Sequence, residues 1–449
     1  MSSYKIFFNM NFFQNFQSFL LIIILLFSFV NCQNIPNPRY AQTSSLIGKR
    51  LYFFGGDFTT NANVSIATNE VWYLDLSSSF NTATPPWNKD VGMPIGYKLG
   101  TSCVSPIDNS VFLVGGRMYI PNTGNINLGS SPVHVFNSNI SLWTTPNIIN
   151  GYNSSFEKRN QIQPVIDNNG KVYIFGGTNF TGLDSSSFFY YNDMSILDTT
   201  SMTWSTLAAF TNAPPPLLTN TATLLPTGII VYIGGFKNLN GSFMPWPVSM
   251  NEIQTFNTKN FVWSAQVAGG ASIGSRIAHS AVLTQNGEII IYGGSIWDDR
   301  TISATPYIAK LDTSSWMWSI PDLSLNSPQL CYHSAALYGD YMIIAFGQIP
   351  SKSSSSYYAL SNNLYILDIK SYTWVTSFNP NQSKALPPTT IQTPSPDNNL
   401  KNYLFIGIGI GAGMVLLGVF SVVGFLLYKR KRQNQYPKSI PTPGNTDRI

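Results

Sequence analysis

Short apolar runs, each closed by glycine, recur along this chain. Val172-Tyr173-Ile174-Phe175 ends at Gly176-Gly177 and a polar loop follows. Met194 to Leu197 is apolar again and stops at Asp198, and Trp204 stands six residues further on. Runs of β-branched and aromatic residues bounded by turn formers predict buried strands. Paired glycines lack two Cβ atoms and predict close approach of another backbone or a large ring.

The unit appears six times. The runs before glycine end at Gly56, Gly116, Gly177, Gly235, Gly294 and Gly347, and the second runs end at Asp75, Asn137, Asp198, Asn257, Asp312 and Asp368. In repeats two to six a tryptophan follows after six residues, at Trp143, Trp204, Trp263, Trp318 and Trp374. Repeat one reaches Trp87 only twelve residues after Asp75, which predicts a longer turn. An upstream strand is expected in each unit, over residues 39–42, 101–104, 159–165, 219–225, 276–281 and 333–336. With Gln348 in the place of the second glycine of repeat six, the pairs recur every 54 to 61 residues. The fold class is all-β, with four strands per unit and no helical pattern between them. One such sheet cannot bury both faces, whereas a ring of them can. The expected architecture is a six-bladed β-propeller followed by a single transmembrane helix.

The run before Gly-Gly, the L-D before a six-residue step to Trp, and R-x-x-H-S at Arg276 to Ser280 resemble kelch repeats over about residues 39–378. The resemblance implies a kelch-type propeller. Departures are Gln348 for the second glycine, Asn for Asp at Asn137 and Asn257, and a histidine at the inner-strand motif position only in the last two repeats, at His279 and His333.

Charge changes the picture little. The chain carries a formal +5. Residues 429–449 hold Lys429, Arg430, Lys431, Arg432, Lys438 and Arg448 against Asp447, which equals that whole excess. The body therefore has no overall basic charge to attract nucleic acid.

Two apolar runs add a topology. Residues 19–30 have the length of a signal-peptide core, with Val30 and Cys32 at the small-residue positions, so residues 1–32 read as a signal peptide. Residues 403–428 are uncharged and as a helix would reach about 39 Å, enough to span a bilayer. The basic cluster that follows places the C-terminus in the cytoplasm and the body outside. The expected order is a signal peptide (1–32), an extracellular propeller (33–378), a Pro/Ser/Thr-rich stalk (379–402), a transmembrane helix (403–428) and a short basic tail (429–449). The location is the plasma membrane or another secretory-pathway membrane. Gly407 with Gly411, and Gly409 with Gly413, have the small-residue spacing that lets two membrane helices pack as a homodimer.

Candidate chemistry is sparse. Six N-glycosylation sequons stand at Asn63, Asn139, Asn153, Asn179, Asn240 and Asn381. Cys103 and Cys331 fall on sheets two and six with sheet one between them, so they are expected as free thiols. Galactose-oxidase-type copper radical enzymes are also kelch-type propellers. That resemblance asks for a cysteine, a Tyr-His pair and a further histidine. Cys103 and Tyr332-His333 match the first two, but no histidine follows His333. The expectation is no cofactor, no metal and no catalytic residue, with a secretory copper oxidase as the alternative. Long loops after the glycines carry Arg117, Tyr119, Trp246, Trp297, Asp298, Asp299 and Arg300. Aromatic and arginine side chains are favoured interface anchors. Of these, Arg117, Tyr119, Trp297, Asp298, Asp299 and Arg300 are the candidate ligand-binding residues, for an extracellular protein or glycan. Sequons on loops one, three and four would leave sheets two, five and six open.

Overall fold

Each apolar run before a glycine forms the second strand of an antiparallel sheet. In the first sheet the order is Thr43–Ile47, Arg50–Phe54, Val71–Asp75, Trp87–Asp90, from the inside out. Five further sheets of four or five strands repeat it, with inner strands Thr101–Val104, Val165–Ile166, Thr221–Leu224, Ser280–Leu283 and Ser334–Tyr338. The computed structural model describes residues 35–59, 64–127, 129, 131–150, 156–180, 188–207, 212–239, 245–296, 302–323, 327–350 and 359–381. The chain divides into two compact units, Met1–Leu386 and Pro387–Ile449, and every described residue lies in the first. The signal-type run, most of the stalk, the 403–428 run with its glycines and the basic tail lie outside the described residues. No helix among the described residues is long and apolar enough to cross a membrane.

The Asp/Asn-to-Trp step is a turn chemistry. Asp75, Asn137, Asp198, Asn257, Asp312 and Asp368 each accept, through Oδ1, the backbone N–H two residues on. Only an acceptor oxygen is needed for such a turn, so Asn serves as well as Asp. The turn sets the return register. Each tryptophan stands opposite the residue before the Asp or Asn, as in Leu74–Trp87, Phe136–Trp143 and Leu197–Trp204.

The second strands are apolar throughout because both of their faces are buried. Tyr52 and Phe54 pack toward sheet two, and Leu51 and Phe53 toward sheet six. The main hydrophobic clusters among the described residues number six, each shared by two neighbouring sheets, and one of them joins the last sheet to the first.

Two rings of backbone hydrogen bonds bind the sheets side by side. In the first, the glycine that closes each second strand donates its N–H to the next sheet: Gly56 to Tyr97, Gly116 to Arg159, Gly177 to Leu217, Gly235 to Arg276, Gly294 to Leu330, and Gly347 to Arg39, all at 2.8–2.9 Å. The preceding glycine leaves room for that carbonyl. A Cβ on Gly176 would lie 2.3 Å from the Leu217 oxygen, and Gly176 has φ +74°. The second ring runs through Ala41, Leu99, Gln161, Thr219, Ala278 and Tyr332. The N–H of each bonds the carbonyl of the residue before it in the series, and Ala41 closes on Tyr332, over 2.9–3.4 Å. All six have positive φ, between 48° and 58°.

Three expectations are corrected. The upstream segments at 39–42 and 276–278 are not strand. They lead into the left-handed residue, and the inner strand starts later, at Thr43 or Ser280, because a positive φ breaks the extended backbone. In repeats three and four the strand likewise begins only at Val165 and Thr221. In repeat six the second glycine is present. Gly347 has φ +104° and makes the ring bond, whereas Phe346, at φ +63°, stands in the place of the first glycine.

The ring closes where the repeats are irregular. The extra residues between Asp75 and Trp87 form Phe80–Asn81, which pairs antiparallel with Ser377–Phe378 beyond the sixth sheet. Phe378 is fully buried against Phe80, Tyr338 and Tyr341, with ring centroids 5.0, 5.7 and 5.6 Å apart. Phe346 packs on Phe53 and Trp87 at the same seam. On the other face the entering chain is held by Asn362 Nδ2 on the Pro36 carbonyl and Arg39 N–H on the Ser361 carbonyl.

Phe378→Ala is expected to destabilise residues 33–400 by about 3–5 kcal/mol in chemical denaturation, and a loss under 1 kcal/mol would remove the clasp from the account. Thr219 is β-branched at φ 48° and its buried Oγ1 has no partner among the described residues. Thr219→Gly relieves left-handed strain of roughly 1–2 kcal/mol at a backbone-entropy cost of about 0.5–1 kcal/mol. It should therefore raise the denaturation midpoint slightly, while Thr221→Gly lowers it.

Candidate functional site

The left-handed ring frames the mouth of an axial channel on the face that carries the long loops. A cavity of about 100 Å³ sits at ring level, lined by Ala41, Leu99, Gln161, Thr219, Ala278 and Tyr332. A second, of about 190 Å³, is lined by side chains on or just before the inner strands, including Thr43, Ser102, Gln163, Thr221, Ser280 and Ser334. These are neutral hydroxyls and amides. They lace neighbouring sheets together: Thr43 Oγ1 lies 2.9 Å from Ser102 Oγ, Thr101 Oγ1 donates to Gln163 Oε1, and Gln42 Nε2 donates to Ser334 Oγ.

His279 and His333 do the same work. His279 Nε2 lies 3.3 Å from Thr221 Oγ1, and His333 Nε2 lies 2.8 Å from Ser280 Oγ. Each reaches into the preceding sheet from an equivalent position. Both Nδ1 atoms are buried. Burial pushes His333 down to about 4, and burial, then the Arg276 guanidinium and His333, push His279 well below the usual range. Burial thus favours the neutral form of both near pH 7. Neither Cys103 nor Cys331 forms a disulfide with a described residue, both are buried, and burial raises the Cys103 thiol to about 12.

Around the mouth the wall has two characters. On sheets one to three it is polar. The buried Lys98 ammonium pairs with Asp57, which also accepts from Ser65 Oγ, and lies 5.1 Å from the Tyr119 ring centroid. Arg117 Nε donates to Asn160 Oδ1 at 3.3 Å, and its guanidinium lies over the Phe180 ring. On sheets four to six the wall is an apolar cluster of Leu218, Phe236, Ile277, Ala278 and Cys331, with Tyr190 and Tyr332 half-buried against it. Tyr40 and Tyr332 bridge the two halves with ring centroids 5.9 Å apart.

A buried arginine stands two residues before the left-handed position in sheets one, three and five. Arg39, Arg159 and Arg276 each donate Nη1 to the carbonyl of the first glycine of their own sheet. Glu70 and Asp193 neutralise the first two. Burial alone would raise the Glu70 carboxyl, but Arg39, Lys89 and Trp72 outweigh it and hold it at about 2.

The structure brings only part of the sequence-derived set together. Arg117 is half-buried at the mouth. Tyr119 is 6% exposed and packs beneath Lys98. Trp297, Asp298, Asp299 and Arg300 lie outside the described residues, as do the sequons at Asn63, Asn153 and Asn240. Asn139 and Asn381 are exposed and Asn179 is half-buried. Trp246 and Phe189 are each 58% exposed, on the loops of sheets four and three. Sequence reading missed Phe189 and the Asp57–Lys98 pair. Asp57 directly after a glycine pair was the available signal, since a carboxylate at a position where no other repeat has an acid needs a partner.

A closed ring of such sheets, with the glycine and Asp/Asn-to-Trp marks in every repeat, defines a kelch-type β-propeller. Residues 111–393 match the Attractin/LZTR1 beta-propeller family, and the chain belongs to that family. It is similar to Kelch domain-containing protein 3 of Rattus norvegicus, 25% identical over 325 residues that cover 70% of this chain and 79% of the rat protein. It is also similar to Acyl-CoA-binding domain-containing protein 5 of Arabidopsis thaliana, 22% identical over 324 residues, 70% of this chain and 44% of the plant protein. Kelch domain-containing protein 1 of Mus musculus is 27% identical over 197 residues, 40% of this chain and 46% of that protein. The chain thus spans less than half of the plant relative.

The histidines set a pH dependence. Their unfolded forms bind a proton near pH 6.5 and the folded forms do not, so stability is fully present above pH 6.5 and falls as pH drops toward about 4. For His333 the interval corresponds to roughly 3 kcal/mol. Thermal denaturation between pH 7 and 4 should show this loss, and His333→Gln should flatten it.

Proposed function

We propose that this chain is a single-pass membrane glycoprotein whose six-bladed kelch propeller binds a protein or glycan outside the cell, without catalysis, through its loop face. The observation that carries the reading is the mouth itself. Two backbone rings hold rigid a rim that is charged on one half and apolar on the other, and long loops surround it. Loops displayed on a rigid scaffold are where binding residues concentrate, and membership of a kelch-type propeller family supports an interaction role. Six sheets, six shared cores and two six-membered rings support the blade count. The apolar runs at 19–30 and 403–428 and the basic cluster at 429–432 support the topology, and the glycines at 407, 409, 411 and 413 support a homodimer through the membrane helix. The chain leaves the propeller at Phe378, beside Tyr338 and Tyr341 at the tight-turn end of the sixth sheet. That is the face opposite the loops, so a tether there leaves the mouth free.

Fluorescent tetramers of residues 33–400 should stain cells that display the ligand. Arg117→Ala and Trp246→Ala should each lower staining about tenfold, which corresponds to about 1.4 kcal/mol. Lys370→Ala, on the turn face, should leave it unchanged. Equal loss in all three, or in none, would count against the loop face.

A further inference from the structure

We infer that Asn179 carries an N-linked glycan whose first sugar stacks on the ring of Phe189. The inference rests on the secretory topology proposed above. The bridge between Thr178 and Tyr190 puts Asn179 directly opposite Phe189. Residues opposed in an antiparallel pair project to the same face, about 4.5–5.5 Å apart. The Asn179 N–H donates to the Phe189 carbonyl at 3.3 Å, and the Phe189 N–H donates to Asn179 Oδ1 at 2.6 Å. The side-chain amide is thus anchored by its oxygen, and Nδ2 donates no hydrogen bond to any described residue.

Phe189 is a prepared platform. It is 58% exposed. Its ring meets Tyr191 edge-on at 5.1 Å. Tyr191 is itself fixed, donating its hydroxyl to Glu157 Oε2 at 2.6 Å under the Arg159 guanidinium, 3.8 Å from the ring centroid. The negative face of an aromatic ring attracts the C–H bonds of a pyranose as it attracts other positive edges. Covering that ring would remove exposed apolar surface from water. The sequon Asn179-Phe180-Thr181 supplies the acceptor. Nδ2 forms a bond to C1 of the terminal N-acetylglucosamine of a polyprenyl-diphosphate oligosaccharide. The C1–oxygen bond to the diphosphate breaks, the lipid diphosphate leaves, and the amide proton is released.

Secretion of residues 1–400 from eukaryotic cells, followed by glycosidase release in heavy-oxygen water and peptide mass measurement, reads occupancy at each sequon. Asn179 is expected occupied. Trimming the glycans to the single first sugar should leave the melting temperature unchanged, and complete removal should lower it by about 2–4 °C. In Phe189→Ala, complete removal should have no such effect. Thr181→Ala and Phe189→Ala should each lower the melting temperature, and the double variant should lower it no further. Additive losses, or an unoccupied Asn179 beside occupied Asn139 and Asn381, would overturn the inference and leave the topology standing. All sequons unoccupied would overturn the topology along with it.

Discussion

The N–H of one glycine per repeat, donated to a carbonyl of the next sheet, is the constraint on which the rest depends. From Gly56 to Gly347 this bond is made six times and returns to Arg39. Each bond contributes about 1 kcal/mol net, and leaving either buried group unpaired costs about 1–3 kcal/mol. It requires a backbone with little side chain at the crossing, which explains the glycine pair. It also places neighbouring second strands so that alternate residues reach two different cores. Loss of one sheet would expose the faces of both neighbours. The left-handed ring is a second consequence. With the sheets fixed at that spacing, the chain must turn sharply to enter each inner strand, and it does so at a residue whose N–H and carbonyl point around the axis.

The two departures from the repeat meet at one place. The long turn after Asp75 provides Phe80 for the clasp, and Phe346 in place of a glycine fills the core between the last sheet and the first. A ring built from one linear chain has a single interface that no linker spans. Extra apolar burial at Phe53, Trp87, Phe346 and Phe378 offsets the missing covalent connection. Elsewhere the linker serves instead: Ile149–Asn150 and Gly269–Gly270 lie parallel to the outer strands of the sheets they lead into.

Much of the fold was legible because its determinants are local. A strand buried on both faces is continuously apolar, an Asx turn needs an acidic or amide side chain, and the residue distance to the tryptophan sets the register. The left-handed ring was not legible. Its members are Ala41, Leu99, Gln161, Thr219, Ala278 and Tyr332, which share no side-chain chemistry and include no glycine, since the contact between sheets imposes the conformation. The register of repeat six was misread for a related reason, because F-G-Q does not say locally which glycine has been replaced. The site was less legible than the fold. Arg117 was picked by residue type and lies half-buried at the mouth, whereas Tyr119, picked the same way, is 6% exposed beneath Lys98. Phe189 gains its meaning only from what stands across from it.

The paths of the two ends have a mechanical consequence. The chain enters on the loop face at Arg39 and leaves on the opposite face at Phe378. A load pulling on the segment after Phe378 while the loop face is held falls first on the pairing of Ser377–Phe378 with Phe80–Asn81. That pairing is two residues long, so few backbone bonds resist the load there. The seam between the sixth and first sheets is therefore the weak link under tension. The other five interfaces, each crossed by a covalent linker, hold until it has opened.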